Sequence, residues 1–239
     1  MTTQDRLEQI ARDYHAQELP DKFIEDLTQE ATVEWIASAL EGRERIAELG
    51  YGEGLVTRGL LQQGKQVTVI EGSEQLALAA REAQPAATVV HSLFEEYRPP
   101  RPFEAVVASH ILEHVEDPVR VLKSVAGWLA PGGRVCIVVP NSESLHRRLA
   151  VRMGLQPRLD SLSPRDHLVG HLRVYSLAGL RAHLEQAGLK VTATRGFFLK
   201  PLANSQMLGH SRELLRAMNE ISAELPPELM ANLGLIAEP

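Results

Sequence analysis

Apolar residues recur along this chain in two rhythms. Over residues 5–18 and 21–41 they fall at Leu7, Ile10 and Tyr14, then at Phe23, Leu27, Val33, Ile36 and Leu40. That spacing is close to 3.6 residues, so two helices separated by Pro20 are predicted. From residue 45 the pattern changes to short unbroken apolar runs at 45–49, 66–70, 88–90, 103–108 and 134–139. Runs of that length and continuity suit strands buried on both faces. Helical signals fill the gaps at 53–63, 73–83 and 118–130. Gly64 closes the first, Ser73 caps the second, and Asp117-Pro118 opens the third, with Pro131-Gly132-Gly133 ending it. Strand–helix alternation with short links predicts a parallel sheet carrying helices on both faces. After residue 140, Ser142 to Leu149 opens like a capped helix, 157–164 is irregular, and 165–176 leads through an extended run into a helix that Ser176 caps. A strand over 190–194, a helix over 211–223 and a last apolar run at 233–237 complete the pattern.

The run 45–49 breaks into Gly50-Tyr51-Gly52-Glu53-Gly54, with Glu48 just ahead. Strand, glycine turn and helix make the layout of a nucleotide-type cofactor site. A dinucleotide fingerprint needs glycine at position 55, which is Leu55. A carboxylate at Glu48 repels a pyrophosphate and tolerates a cation. The turn resembles the first motif, E-x-G-x-G-x-G, of the class I S-adenosylmethionine-dependent methyltransferases, whose cofactor carries a sulfonium and an ammonium group and no phosphate. Glu71 ends the second strand 21 residues after Gly50, where an acid can accept both ribose hydroxyls.

Ser109-His110-Ile111-Leu112-Glu113-His114-Val115-Glu116-Asp117-Pro118 resembles the S/N-x-x-L-E-H-V-x-D-P segment of small-molecule O- and N-methyltransferases, the ubiquinone-biosynthesis group included. The proline-glycine-glycine to Pro140-Asn141 segment and the run His171, Arg173, Tyr175, Ser176 also match that group. The Asp/Asn-Pro-Pro-Tyr tetrapeptide of nucleobase and glutamine methyltransferases is absent. The resemblance implies a Rossmann-like, doubly wound α/β fold, its seven-stranded sheet mostly parallel with an antiparallel terminal strand. Residues 1–44 would form a helical cap and 45–239 the methyltransferase domain, with a substrate-side insertion at about 141–175. It also implies donor contacts at Glu48, Gly50, Tyr51, Gly52, Gly54, Glu71, Gly72, Ser92, Leu93, Ser109 and His110. The family often places an acid near the adenine, where this chain has Ser92, so that contact is weaker or made by backbone.

Composition narrows the partners. A formal net charge of −6 over 239 residues argues against a duplex nucleic-acid partner. Arg147, Arg148, Arg152, Arg158 and Arg165 form either a solvated face or a patch for a small anionic substrate. The single cysteine, Cys136, sits inside an apolar run, and no apolar stretch is long enough to span a membrane or act as a leader, so a cytoplasmic protein is expected. A homodimer is allowed.

For the acceptor side, Tyr14, His146, Arg173, Tyr175, Lys200 and Asn204 are the candidate substrate contacts. Methylation of a hydroxyl needs a base, and a histidine has the right unperturbed pKa. The sequence leaves the choice between His167 and His171 open, with His110 as a third candidate whose backbone alone could line the donor. His167, His171 and Asp166 invite a metal site, but Gly170 interrupts any helical i,i+4 pair and no metal is expected. The reading is therefore methyl transfer from S-adenosylmethionine to a small-molecule hydroxyl. N-methylation of an amine and a non-catalytic binding module stand as alternatives, and a dehydrogenase is disfavoured by Leu55 and Glu48.

Overall fold

The computed structural model describes residues 3–15 and 20–239, without the side chains of residues 13–15, so the expected substrate contact of Tyr14 lies outside what is described. Seven strands are formed: β1 (Arg45–Leu49), β2 (Gln66–Glu71), β3 (Thr88–His91), β4 (Phe103–Ser109), β5 (Leu129–Pro140), β6 (Lys190–Phe197) and β7 (Asn232–Glu238). They make one sheet in the order β3-β2-β1-β4-β5-β7-β6. β1 to β5 pair in parallel, and β7 runs antiparallel between β5 and β6. The mostly parallel sheet with an antiparallel terminal strand is thus as expected. Strand order reverses direction between β1 and β4, which opens a crevice at the C-terminal ends of those strands.

Nine α-helices surround the sheet among the described residues: α1 (Thr3–His15), α2 (Lys22–Ala39), α3 (Leu55–Gln62), α4 (Glu74–Ala83), α5 (Pro118–Trp128), α6 (Leu145–Arg152), α7 (Pro164–Leu168), α8 (Leu177–Gln186) and α9 (Arg212–Glu220). None is long and apolar enough to cross a membrane. The predicted caps are present: Ser73 accepts from Leu76 N, Asp117 from Arg120 N and Ser176 from Gly179 N. Side chains alternate along each strand, so Val106 and Ala108 pack with Val121, Leu122 and Leu180 of α5 and α8. Ala105 and Val107 face the other way, onto Ile36, Leu40 and Leu60 of α2 and α3. Cys136 lies in that second layer, fully buried, and burial pushes its thiol up to about 12. It is inert.

Two segments depart from expectation. Helix α5 stops at Trp128, and β5 begins at Leu129, with Pro131-Gly132-Gly133 absorbed as an irregularity. Leu129 already pairs with Phe103, and the register then slips so that Arg134 pairs with Ala105. Residues 163–168 contain α7, closed by a capping box in which Ser163 Oγ accepts from Asp166 N and Asp166 accepts from Ser163 N. Five residues are too few for a periodicity to register.

Candidate active site

A cleft of about 990 Å³ runs along the C-terminal ends of the strands. Its first wall is the glycine turn. Gly50, Gly52 and Gly54 all have positive φ, at 71°, 54° and 71°, a conformation costly for any residue with a Cβ. A Cβ at Gly50 would lie 2.5 Å from Ile111 Cδ1, whereas one at Gly52 would meet nothing within 4 Å. The turn therefore offers open backbone to a ligand at Gly52. Gly54 does not line the cleft; it starts α3.

Two buried acids stand beside the turn. Glu71 Oε2 accepts from Tyr51 N at 2.7 Å and Oε1 from Ser73 N at 2.8 Å. Each carboxylate oxygen can accept twice, so one lone pair per oxygen is left for a diol. Burial raises the Glu71 pKa against the pull of those N–H groups. Glu48 accepts from Thr57 Oγ1 at 2.6 Å, and burial pushes it up to about 8. Of the other expected donor contacts, Tyr51, Gly72, Ser92, Leu93, Ser109 and His110 all line the cleft. Helix α1 closes over this end: Glu8 accepts from Ser73 Oγ and Glu74 N, and a Cβ on Gly72 would strike Leu7. Nothing in the spacing of α1 signalled that contact.

The second wall is built around Glu113, fully buried after β4. His110 Nδ1 lies 3.3 Å from Glu113 Oε1, and His171 Nε2 lies 4.0 Å from the same oxygen. Neither contact is an aligned hydrogen bond, and both Glu113 oxygens lack one. Burial pushes the Glu113 pKa up, but His110, His114 and His171 together hold it below the usual value. His110 has φ 56°, strained for a non-glycine residue, and its N–H is fixed by Val138 O at 2.8 Å. Its Nε2 is buried with no hydrogen-bond partner.

His171 is fixed from the far side. Its Nδ1 lies 2.9 Å from Asp166 Oδ1, and Asp166 also takes Arg147 Nη2 at 2.8 Å and both Ser163 donors at 2.7 Å. Although burial opposes it, these contacts hold the Asp166 carboxyl well below the usual range. His114 stacks edge-on against His171 at 4.8 Å between centroids, and burial pushes it down to about 4. Glu113, His114 and His171 could share a cation, but their ligand atoms spread over as much as 4.8 Å. Bonds of about 2 Å would require them to draw together.

The structure corrects three expected acceptor-side residues. His167 is exposed on α7 and lines no part of the cleft. Arg173 also lies off the cleft, because its guanidinium is used up on the carbonyls of Leu112, Val115 and Glu116. Tyr175 is buried, its hydroxyl donating to Leu112 O at 3.3 Å. Both side chains, with Leu172 N donating to Glu113 O, sew the 171–175 strip to the turn after β4. That is how His171 comes to face Glu113. His146, Lys200 and Asn204 do line the cleft, near its far end. Burial first, then Lys200 and Arg147, push His146 down to about 3.

A switch-point crevice, a left-handed glycine turn and an acid with free lone pairs at ribose distance define a Rossmann-like methyltransferase cleft. The chain belongs to the Methyltransferase domain family, which it matches over residues 14–194, and it is an S-adenosylmethionine-dependent methyltransferase. It is similar to the ubiquinone biosynthesis O-methyltransferase of Xylella fastidiosa (strain 9a5c), 28% identical over 190 residues that cover 76% of this chain and 75% of the relative. The protein of the same name from Aeromonas salmonicida (strain A449) is 29% identical over 185 residues, covering 74% and 76%. In fold it is similar to magnesium protoporphyrin IX methyltransferase from Synechocystis PCC 6803 with bound SAH, with a TM-score of 0.66, 14% identity and coverage of 98% and 96%.

Proposed function

We propose that the protein methylates a hydroxyl of a small-molecule acceptor, with His110 as the general base and Glu113 as the residue that positions it. The observation behind this reading is His110: it lines the cleft, its Nδ1 faces a buried carboxylate, and its Nε2 has no protein partner. A carboxylate on one side of an imidazole favours the tautomer protonated on that side, leaving a lone pair on the other nitrogen. Nε2 can then take the hydroxyl proton. His171 is the weaker base because both its nitrogens are directed at carboxylates, Asp166 and Glu113. Its better-supported role is to hold the Glu113 charge in place.

S-adenosylmethionine, when bound, supplies a methyl group made electrophilic by the sulfonium. Glu71 would accept the ribose hydroxyls, the Gly50–Gly52 backbone would approach the donor closely, and Glu48 would favour its positive charge. Most of the remaining work is orientation and exclusion of water by α1 and the 141–175 segment. The O-methyltransferase names of the Xylella and Aeromonas relatives support oxygen as the acceptor atom.

The test is methyl transfer from labelled donor to a panel of phenols, catechols and primary amines. His110→Gln is expected to lower kcat on the hydroxyl acceptors by about 10²–10⁴ while donor affinity stays within about twofold. An unchanged kcat would remove His110 as base, and turnover of amines alone would make the enzyme an N-methyltransferase.

A further inference from the structure

The acceptor end of the cleft contains polar groups that the methyl-transfer machinery leaves unused. Lys200 enters from the chain just after β6, and the two residues before it are held: Leu199 N donates to Met218 O and Ala231 N to Phe198 O. Phe198 has φ 65°; it and His110 are the two non-glycine residues with positive φ among those described. Both lie at the C-terminal end of a strand that borders the cleft. Such strain persists where surrounding contacts enforce it, commonly at ligand sites.

Among the other cations that line this cleft, Arg147 holds Asp166, Arg165 holds Asp21 and Glu25, and Arg6 donates to His114 O, while Arg120 is in the first turn of α5, after β4 and three strand positions from β6. Lys200 makes no ion pair or hydrogen bond with a described residue; Asp21 and Glu25 act on it only at longer range, already paired to Arg165. Burial dominates its environment and pushes the ammonium down to about 8. Beside it stands His146, whose Nδ1 is buried without a partner. An ammonium without an ion pair, with an unmet imidazole nitrogen beside it, favours a small anion with several oxygens.

We infer that Lys200 and His146 form a carboxylate subsite, so that the acceptor carries a carboxylate as well as the group that is methylated. This rests on the methyltransferase reading and names its substrate class. The donor also has a carboxylate, on its methionine end, but its expected contacts cluster on β1, β2 and β4. Lys200 follows β6, four strand positions from β1, or about 19 Å across the sheet. The far wall of the cleft, with Leu149, Ala150, Met153 and Leu202, is apolar, so the carboxylate would sit at one end of an otherwise apolar molecule.

Two matched probes test the subsite: 4-hydroxybenzoate and its neutral counterpart 4-hydroxybenzamide. Each is titrated by ligand-observed NMR into protein saturated with SAH. The acid is expected to bind at least about tenfold more tightly than the amide. Lys200→Met should erase that preference, Lys200→Arg should keep most of it, and SAH affinity should change less than about twofold in both. Equal binding of acid and amide, binding of neither, or a preference that survives Lys200→Met overturns the proposal. A loss of SAH affinity in Lys200→Met as large as the loss for the acid also overturns it, and assigns the lysine to the donor's carboxylate. Methyl transfer is scored separately. A lysine-dependent preference without turnover upholds the subsite while counting against O-methylation, and turnover without the preference does the reverse.

Discussion

The donor end and the acceptor end of the cleft satisfy their polar groups differently. At the donor end each buried acid is answered by its own strand–turn–helix unit or the next: Glu48 by Thr57, Glu71 by the N–H groups of Tyr51 and Ser73. At the acceptor end Glu113 has no aligned donor, and His110 Nε2, His146 Nδ1 and Asn204 Oδ1 have no partner at all. A buried polar group without a partner costs about 1–3 kcal/mol, so leaving four residues in that state is a substantial outlay unless a ligand completes them. At the donor end both buried acids already have hydrogen-bond donors before anything binds. The acceptor end is incomplete by design of its own polar groups, and its ligand supplies the missing partners.

The sharpest way to break that comparison is to damage the finished end. If Glu71 takes the ribose as proposed, Glu71→Ala removes two charge-assisted hydrogen bonds, each worth about 1.5–3 kcal/mol, and SAH affinity measured by calorimetry is expected to fall about 100-fold or more. The same change strands Tyr51 N and Ser73 N, so a thermal melt must accompany it. A drop of less than about fivefold in a well-folded variant would take Glu71 out of the donor site. By the same contrast, His110→Gln should leave SAH affinity nearly untouched.

The two ends also differed in how far the sequence disclosed them. The donor end is local in sequence: Glu48 and Thr57 are nine residues apart, Tyr51 and Glu71 twenty. Left-handed turns demand glycine, and three glycines therefore betray the turn directly. The mostly parallel sheet and the antiparallel β7 follow from a run pattern and a resemblance of the same local kind. The acceptor end depends on long-range contacts. Arg173 meets Leu112 sixty-one residues away and Val115 fifty-eight away. No spacing rule distinguishes an arginine aimed at a substrate from one tying two loops together. Hence Arg173 and Tyr175 read as substrate contacts, and exposed His167 read as the equal of His171. The resemblance implied a helical cap over residues 1–44, but the particular contact of Glu8 with Ser73 has no signature in the spacing of α1.

A second, smaller effect probes the electrostatics of the donor end. Glu48 is held up to about 8 by burial, so below that pH its carboxyl is protonated in the free protein. A cation beside it favours the carboxylate, so donor binding releases a proton. Affinity for S-adenosylmethionine should therefore rise as pH climbs towards 8, by up to about tenfold per unit, and level off above it. Glu48→Gln should flatten that slope. Fold stability responds in the opposite sense. Relative to the ordinary value of 4.5, the folded state holds the extra proton between about 4.5 and 8, so this group's contribution declines as pH rises through that window.

The smallest expected effect tests whether the 171–175 strip is scaffold or site. Tyr175 is 3% exposed, and its hydroxyl has the Leu112 carbonyl at 3.3 Å and His183 Nδ1 at 3.4 Å. Both distances are long, so the hydrogen bonds are weak. Tyr175→Phe keeps the ring in the core and should cost only about 0.5–1.5 kcal/mol, read as a lowering of Tm by a few degrees. If the strip is scaffold, kcat and the acceptor KM should stay within about twofold, because the tyrosine acts by holding the Leu112–Glu116 turn that carries Glu113. A tenfold rise in acceptor KM with an unchanged Tm would instead make Tyr175 a substrate contact. It would also mean that the cleft opens further towards α8 than its present walls allow, and the acceptor end would then be larger and less apolar than the contrast with the donor end implies.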